Sequence, residues 1–117
     1  DLGPVAIVGD RIYFTRCPPA ADDCDEERFL LKLPFSGGTP EIVLQAATPM
    51  IDLVVDGDAL YWTEGVLEFE PDRIVRFDPV SMEQTLLTQF QDVSYLAASS
   101  RFLVWYDVPA RIFTLAK

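Results

Sequence analysis

The apolar positions of this chain fall in short runs separated by turn-forming residues, and nowhere recur at 3.6-residue spacing across a dozen positions. Helices are therefore not expected. The runs are rich in Val, Ile and aromatic residues, which suit a pleated, half-buried backbone. In the middle of the chain the pattern predicts strands over Asp52–Val55, Ala59–Thr63, Arg73–Phe77 and Gln84–Leu87. Asp56-Gly57-Asp58 joins the first two, and Gly57 supplies the positive φ that so tight a connection needs. Asp78-Pro79 ends the third, because proline has no N–H to give a ladder. Earlier in the chain Ser36-Gly37-Gly38-Thr39-Pro40 occupies the matching three-to-four turn. The class is all-β.

The same pattern occurs three times. Val8-Gly9-Asp10-Arg11-Ile12-Tyr13-Phe14-Thr15 matches Asp56-Gly57-Asp58-Ala59-Leu60-Tyr61-Trp62-Thr63 and then Ser99-Ser100-Arg101-Phe102-Leu103-Val104-Trp105-Tyr106. Downstream, Leu30-Leu31-Lys32-Leu33 matches Ile74-Val75-Arg76-Phe77 and Ile112-Phe113-Thr114-Leu115, and Ile42-Val43-Leu44 matches Leu86-Leu87-Thr88. Forty-eight residues separate Gly9 from Gly57, and forty-three separate Gly57 from Ser100. A period in the forties is that of four-stranded β-propeller blades. The expected architecture is a single segment, 1–117, of about 2.75 four-stranded antiparallel copies over approximately 4–49, 50–92 and 93–117. A β-sandwich of the same strands is the competing fold. Phe14, Trp62 and Trp105 share one register, which places a large ring on the same face of every copy. Packing between sheets about 10 Å apart explains them; stacking of a sugar or base is the functional alternative.

So few copies cannot close a ring of four to eight blades, and an open ring leaves unpaired edges. The chain opens Asp1-Leu2-Gly3-Pro4, without an initiating Met. The expectation is a part of a larger polypeptide, or a subunit whose copies assemble into a ring.

Composition narrows the function more by exclusion than by pointing. Nineteen acids against nine bases give a net charge of −10, a field that repels nucleic acid and anionic lipid. No apolar run approaches the ~20 residues of a membrane-spanning helix. The chain has no His, which removes Ser-His-Asp and Cys-His catalysis and imidazole metal ligation. It has no Asn either, so no N-glycosylation sequon.

Tyr61-Trp62-Thr63-Glu64, following an apolar strand and the Asp56-Gly57-Asp58 turn, resembles the YWTD repeat of low-density-lipoprotein-receptor-type β-propellers. Arg73-Ile74-Val75-Arg76-Phe77-Asp78 resembles the third-strand segment of those repeats, and Leu33-Pro34-Phe35-Ser36-Gly37-Gly38-Thr39-Pro40 is similar to turns of bacterial surface propellers. The match covers nearly the whole chain, with departures: Glu64 stands where the family has Asp, and the other copies read Tyr13-Phe14-Thr15-Arg16 and Val104-Trp105-Tyr106-Asp107. The resemblance implies protein binding outside the cell and no catalysis in the repeats.

Two features carry candidate chemistry. Cys17 and Cys24 flank Pro18-Pro19 in the long segment between the first copy's second and third strands. They are close enough for a small disulfide loop worth roughly 2–3 kcal/mol, which implies an oxidising compartment: secreted, periplasmic or cell-surface. Free or metal-bound thiols are the alternative. The second feature is the distribution of acids. Asp22, Asp23, Asp25, Glu26 and Glu27 lie in the first two-to-three loop, and Glu64, Glu68, Glu70 and Asp72 in the equivalent loop of the middle copy. Equivalent loops emerge on one face, together with the four-to-one connections 45–50 and 89–92. The functional reading is an acidic ligand face with Val66, Leu67, Phe69 and Phe90 as apolar anchors, attracting a basic protein or divalent cations; further blades or copies of the same propeller are the other expected partners. A solvated rim that keeps the protein soluble is the alternative. No cofactor is expected; calcium is the one ion the acids leave open, although they lack EF-hand spacing.

For catalysis the sequence offers little. The inner ends of the first strands carry Pro4, Asp52 and Tyr95, one acid where a lactonase-type propeller metal site needs several. Carboxylates alone can do acid–base work, so a fragment of a propeller hydrolase with its site in missing blades is the alternative function. The favoured reading is a non-catalytic extracytoplasmic propeller segment that binds a protein or builds a surface structure through its acidic loops.

Overall fold

The computed structural model describes residues 2–16, 29–46, 50–65, 72–90, 95–106 and 112–116. They form three antiparallel sheets in which strands adjacent in sequence are adjacent in space. The first contains β1 (Leu2–Val8), β2 (Arg11–Arg16), β3 (Phe29–Pro34) and β4 (Glu41–Gln45). The middle sheet contains β5 (Met50–Asp56), β6 (Ala59–Glu64), β7 (Asp72–Asp78) and β8 (Glu83–Phe90). The third contains β9 (Tyr95–Ala98), β10 (Phe102–Tyr106) and β11 (Ile112–Ala116).

The registers repeat from sheet to sheet. Val5↔Phe14↔Leu31, Leu53↔Trp62↔Val75 and Leu96↔Trp105↔Phe113 are the same row in successive copies. The first two sheets also share their irregularities: a shift near the start of the first strand, and another between strands three and four. The tight turns follow local chemistry. Gly9 and Gly57 both sit at φ 59, the left-handed region that other residues enter only at a cost. The third copy has no glycine there. Instead, the Ser99 hydroxyl accepts the amides of Arg101 and Phe102 at 3.3 and 3.0 Å.

The strands run further than the apolar pattern predicts. β8 continues past Leu87 to Phe90, because ladder pairs such as Arg73↔Gln89 do not depend on apolar side chains. Likewise β6 includes Glu64, which the apolar pattern places in the following loop.

Alternate residues of the middle sheet enter two separate cores. Leu53, Leu60, Trp62, Val75 and Phe77 pack with Ala6, Tyr13 and Leu30 of the first sheet. Ala59, Tyr61 and Ile74 pack with Leu96, Leu103 and Trp105 of the third. Every residue of β6 is therefore buried, which the polar-out alternation of a one-sided sheet would forbid. A two-layer sandwich has no sheet covered on both faces, so the competing fold is excluded. Trp62 lies 5.6 Å from Phe77, and Trp105 stacks on Phe113 at 6.0 Å; both indoles are core, not exposed stacking platforms. β1, β5 and β9 adjoin along the inner edge.

Candidate functional site

Because each sheet is an antiparallel meander, its strand ends sort into two rims. The tight turns at Gly9, Gly57 and Ser99 and the three-to-four turns share one rim. The ends of β2 and β3, of β6 and β7, and of β4 and β5 share the other. The segments with most of the candidate acids are flanked by strand ends at this second rim. Asp22, Asp23, Asp25, Glu26, Glu27, Glu68, Phe69 and Glu70, with Val66, Leu67, Cys17 and Cys24, lie outside the described residues. Asp72 opens β7, partly buried, and Phe90 closes β8.

Glu64 requires a correction. It is not a loop acid offering its charge to a ligand: it ends β6 with 7% of its surface exposed. One carboxylate oxygen accepts the Trp62 indole N–H at 3.0 Å, and the other lies 3.1 Å from the Arg73 guanidinium, its cross-strand partner. A carboxylate this enclosed is tolerated because donor and cation satisfy it together. Glu64 thus ties the indole of the motif to the third strand.

At the inner edge, Asp52 accepts two amides. Its carboxylate takes the N–H of Leu53 at 3.1 Å and that of Leu96 at 2.9 Å. The second bond crosses from β5 to β9 and fastens the middle sheet to the third. The one acid at the inner ends of the first strands is thus engaged in holding backbone. Nothing local announces that role, since its partner is 44 residues away.

Beside Asp52 the inner strands enclose an open groove of about 520 Å³, lined by residues 5–7, 53–55 and 96–98. All nine are Val, Ala, Ile or Leu, so the lining has no group that can move a proton or ligate a metal. Among the described residues no three Asp, Glu or Cys side chains converge to hold an ion.

The turn rim is polar in a different way. The Asp78 carboxylate accepts the amides of Val80 and Ser81 at 2.9 and 3.3 Å. Those bonds, the Val80 one foremost, hold its pKa below the usual carboxylate value. Met82 follows at φ 63. On the first sheet, burial pushes the Tyr13 phenol above its ordinary value, against a smaller opposing effect of Arg11.

No family model matches this chain, and no curated protein matches it either. Its fold does have solved counterparts. A chain in the S. cerevisiae Dbp5 complex with Nup159 and Gle1 superposes with TM-score 0.73 at 14% identity, over 100% of this chain and 27% of that one. The N-terminal domain of Nup159 gives 0.73 at 14%, over 100% and 28%. A chain of the nidogen/laminin complex gives 0.72 at 17%, over 98% and 44%. These counterparts are β-propeller proteins. The three sheets are propeller blades. The chain spans between about a quarter and under half of the solved chains it matches. The first and middle blades have four described strands and the third has three, and the apolar groove lies where inner strands line a propeller's channel.

Proposed function

We propose that this chain is a non-catalytic, extracytoplasmic propeller segment of the YWTD type that binds a basic protein partner through its acidic rim. The observation that carries the reading is topological: strand ends at one rim flank both acid-rich segments, 17–28 and 66–71. Seven of the nine candidate acids belong to those two segments, Asp72 opens β7 beside the second, and Glu64 is counted with the core. Such a concentration of one sign speeds encounter with an opposite surface at low salt. Two further points support the reading. Propellers of similar fold occur in complexes named for protein partners, Nup159 with Dbp5 and Gle1, and nidogen with laminin. The pairing of Glu64 with Trp62 and Arg73 gives the Tyr61-Trp62-Thr63-Glu64 motif a structural purpose in a YWTD-like blade. The Cys17–Cys24 bridge belongs to the same proposal; a free-thiol assay on denatured, unreduced protein tests it, and two titrating thiols would remove the argument for an oxidising compartment.

Binding of a fluorescent oligolysine peptide, followed by anisotropy across a salt series, separates a rim effect from net charge. Neutralising Asp22, Asp23, Asp25, Glu26 and Glu27 as their amides abolishes the salt-dependent binding. Neutralising five acids of the turn rim (Asp10, Glu41, Asp56, Asp58 and Glu83) leaves it largely intact. Equal losses in the two variants mean that overall charge alone attracts the peptide, and the rim reading fails.

A further inference from the structure

The second strands of the first and middle blades each bury a hydroxyl that no other protein group meets. Thr15 is 0% and Thr63 1% exposed, and neither Oγ1 has a hydrogen-bond partner among the described residues. Native interiors seldom leave such a group without a protein or water partner. The two threonines are one position of successive copies. Each follows the ring residue, Phe14 or Trp62, and so points to the opposite face of its sheet. Thr15 shares a face with Tyr13, which packs with the middle blade, and Thr63 shares a face with Tyr61, which packs with the third. Both hydroxyls therefore lie between two blades, not at the ends of the arc.

The ladder beside each hydroxyl is irregular in the same way. Between Met50↔Glu64 and Asp52↔Thr63, β5 takes one residue more than β6. Between Leu2↔Arg16 and Val5↔Phe14, β1 takes one more than β2. A bulge of this kind disrupts the ladder locally and leaves its extra residue unpaired. In the middle blade a carboxylate stands there as well. Asp52 is the register partner of Thr63, so the two side chains share a face. Its two oxygens are turned to the amides of Leu53 and Leu96, at 3.1 and 2.9 Å, and each keeps a further lone pair.

We infer that each of these bulges binds an internal water molecule, and that in the middle blade the water joins the Thr63 hydroxyl to the Asp52 carboxylate. A buried water needs two to four polar partners; the hydroxyl, the carboxylate and the unpaired bulge backbone supply them. The chain from Thr63 through water and Asp52 to the Leu96 amide then extends the fastening between the middle and third blades. In the first blade Gly3 and Pro4 stand across from Thr15 and offer no side-chain acceptor, so the water there rests on the hydroxyl and backbone alone. The inference is independent of the acidic rim and of what covers the outer faces of the arc.

Magnetic relaxation dispersion of water oxygen, which counts long-lived internal waters, tests it on the 117-residue chain. Thr15→Val and Thr63→Val, which keep the shape of the side chain, each lower the count by one, and the double variant lowers it by two. In urea unfolding, Thr63→Val raises the unfolding equilibrium constant by about three- to tenfold. The same change has a smaller effect when Asp52 is already Ala. A count that neither variant alters overturns the inference, because the hydroxyls then bond directly to protein. A Thr63→Val variant as stable as wild type, or more so, overturns it too, since a hydroxyl without any partner is better replaced by a methyl group. Equal losses with and without Asp52 overturn the bridge to the carboxylate.

Discussion

Replacing Trp62 by Ala removes the largest fully buried side chain of the middle blade. The cost has two parts. Deleting a buried indole from a packed core costs about 3–5 kcal/mol in lost transfer energy and residual cavity, here including its contact with Phe77. The Glu64 carboxylate then lacks the indole N–H it accepts at 3.0 Å, which adds about 1 kcal/mol, softened because Arg73 still faces its other oxygen. The sum, roughly 4–6 kcal/mol, is comparable with the whole stability of an ordinary domain, about 5–15 kcal/mol. Urea unfolding followed by far-UV circular dichroism reads it without depending on the deleted fluorophore. Trp62→Phe keeps an aromatic ring and loses chiefly the donor, so its midpoint falls between wild type and Trp62→Ala. Val80→Ala, at an exposed turn, moves stability by no more than about 0.5 kcal/mol. A Trp62→Ala loss below about 1 kcal/mol refutes the reasoning, since no indole that joins two blades can be removed so cheaply.

Asp52→Ala deletes the acceptor of the Leu53 and Leu96 amides and lowers stability by about 1.5–3 kcal/mol, with Asp52→Asn losing less because one oxygen remains; equal effects of the two variants would mean that the link between β5 and β9 is immaterial. Gly57→Ala costs about 1–2 kcal/mol from the left-handed backbone alone, since an added Cβ meets nothing within 4 Å; urea unfolding with a neutral result would show that the turn relaxes. The raised Tyr13 pKa means that the unfolded chain ionises first. Its contribution is complete below the ordinary tyrosine value of 10.0 and is lost as pH rises through the folded-state value, so Tyr13→Phe flattens the alkaline limb of a stability–pH curve. Asp78 runs the other way: its pKa is lowered by the Val80 and Ser81 amides, so its contribution holds above the unfolded value and fades as pH falls through the folded one. Asp78→Ala makes the acid limb shallower, and an unchanged limb would leave that turn without a part in acid stability.

The fold was legible because the chain repeats itself. Gly9 and Gly57 mark equivalent turns, and the rows through Phe14, Trp62 and Trp105 follow from alternation alone. The lengths of the strands were less legible, since hydropathy ends where the apolar residues end while hydrogen bonding continues through Glu64, Gln89 and Phe90. Charge misled at Glu64, which reads as one more loop acid until Arg73 and the Trp62 indole are seen around it. The sequence places Asp52 at the inner end of its strand but carries no sign of its bond to Leu96, a relation that exists only once two blades are packed. Of the acidic rim, the topology gives the flanking strand ends at Glu64, Asp72 and Phe90, and the loop acids themselves stand on the sequence pattern.

Tyr61 and Trp62 are consecutive residues whose rings enter different cores, so nuclear Overhauser contacts from this one pair measure the blade stacking directly. The expected pattern joins the Trp62 indole to Tyr13 and Leu30 of the first blade, and the Tyr61 ring to Leu96 and Leu103 of the third. A spectrum in which one of the two rings has neighbours only within its own sheet, leaving that face to solvent, would contradict the stacked-blade account.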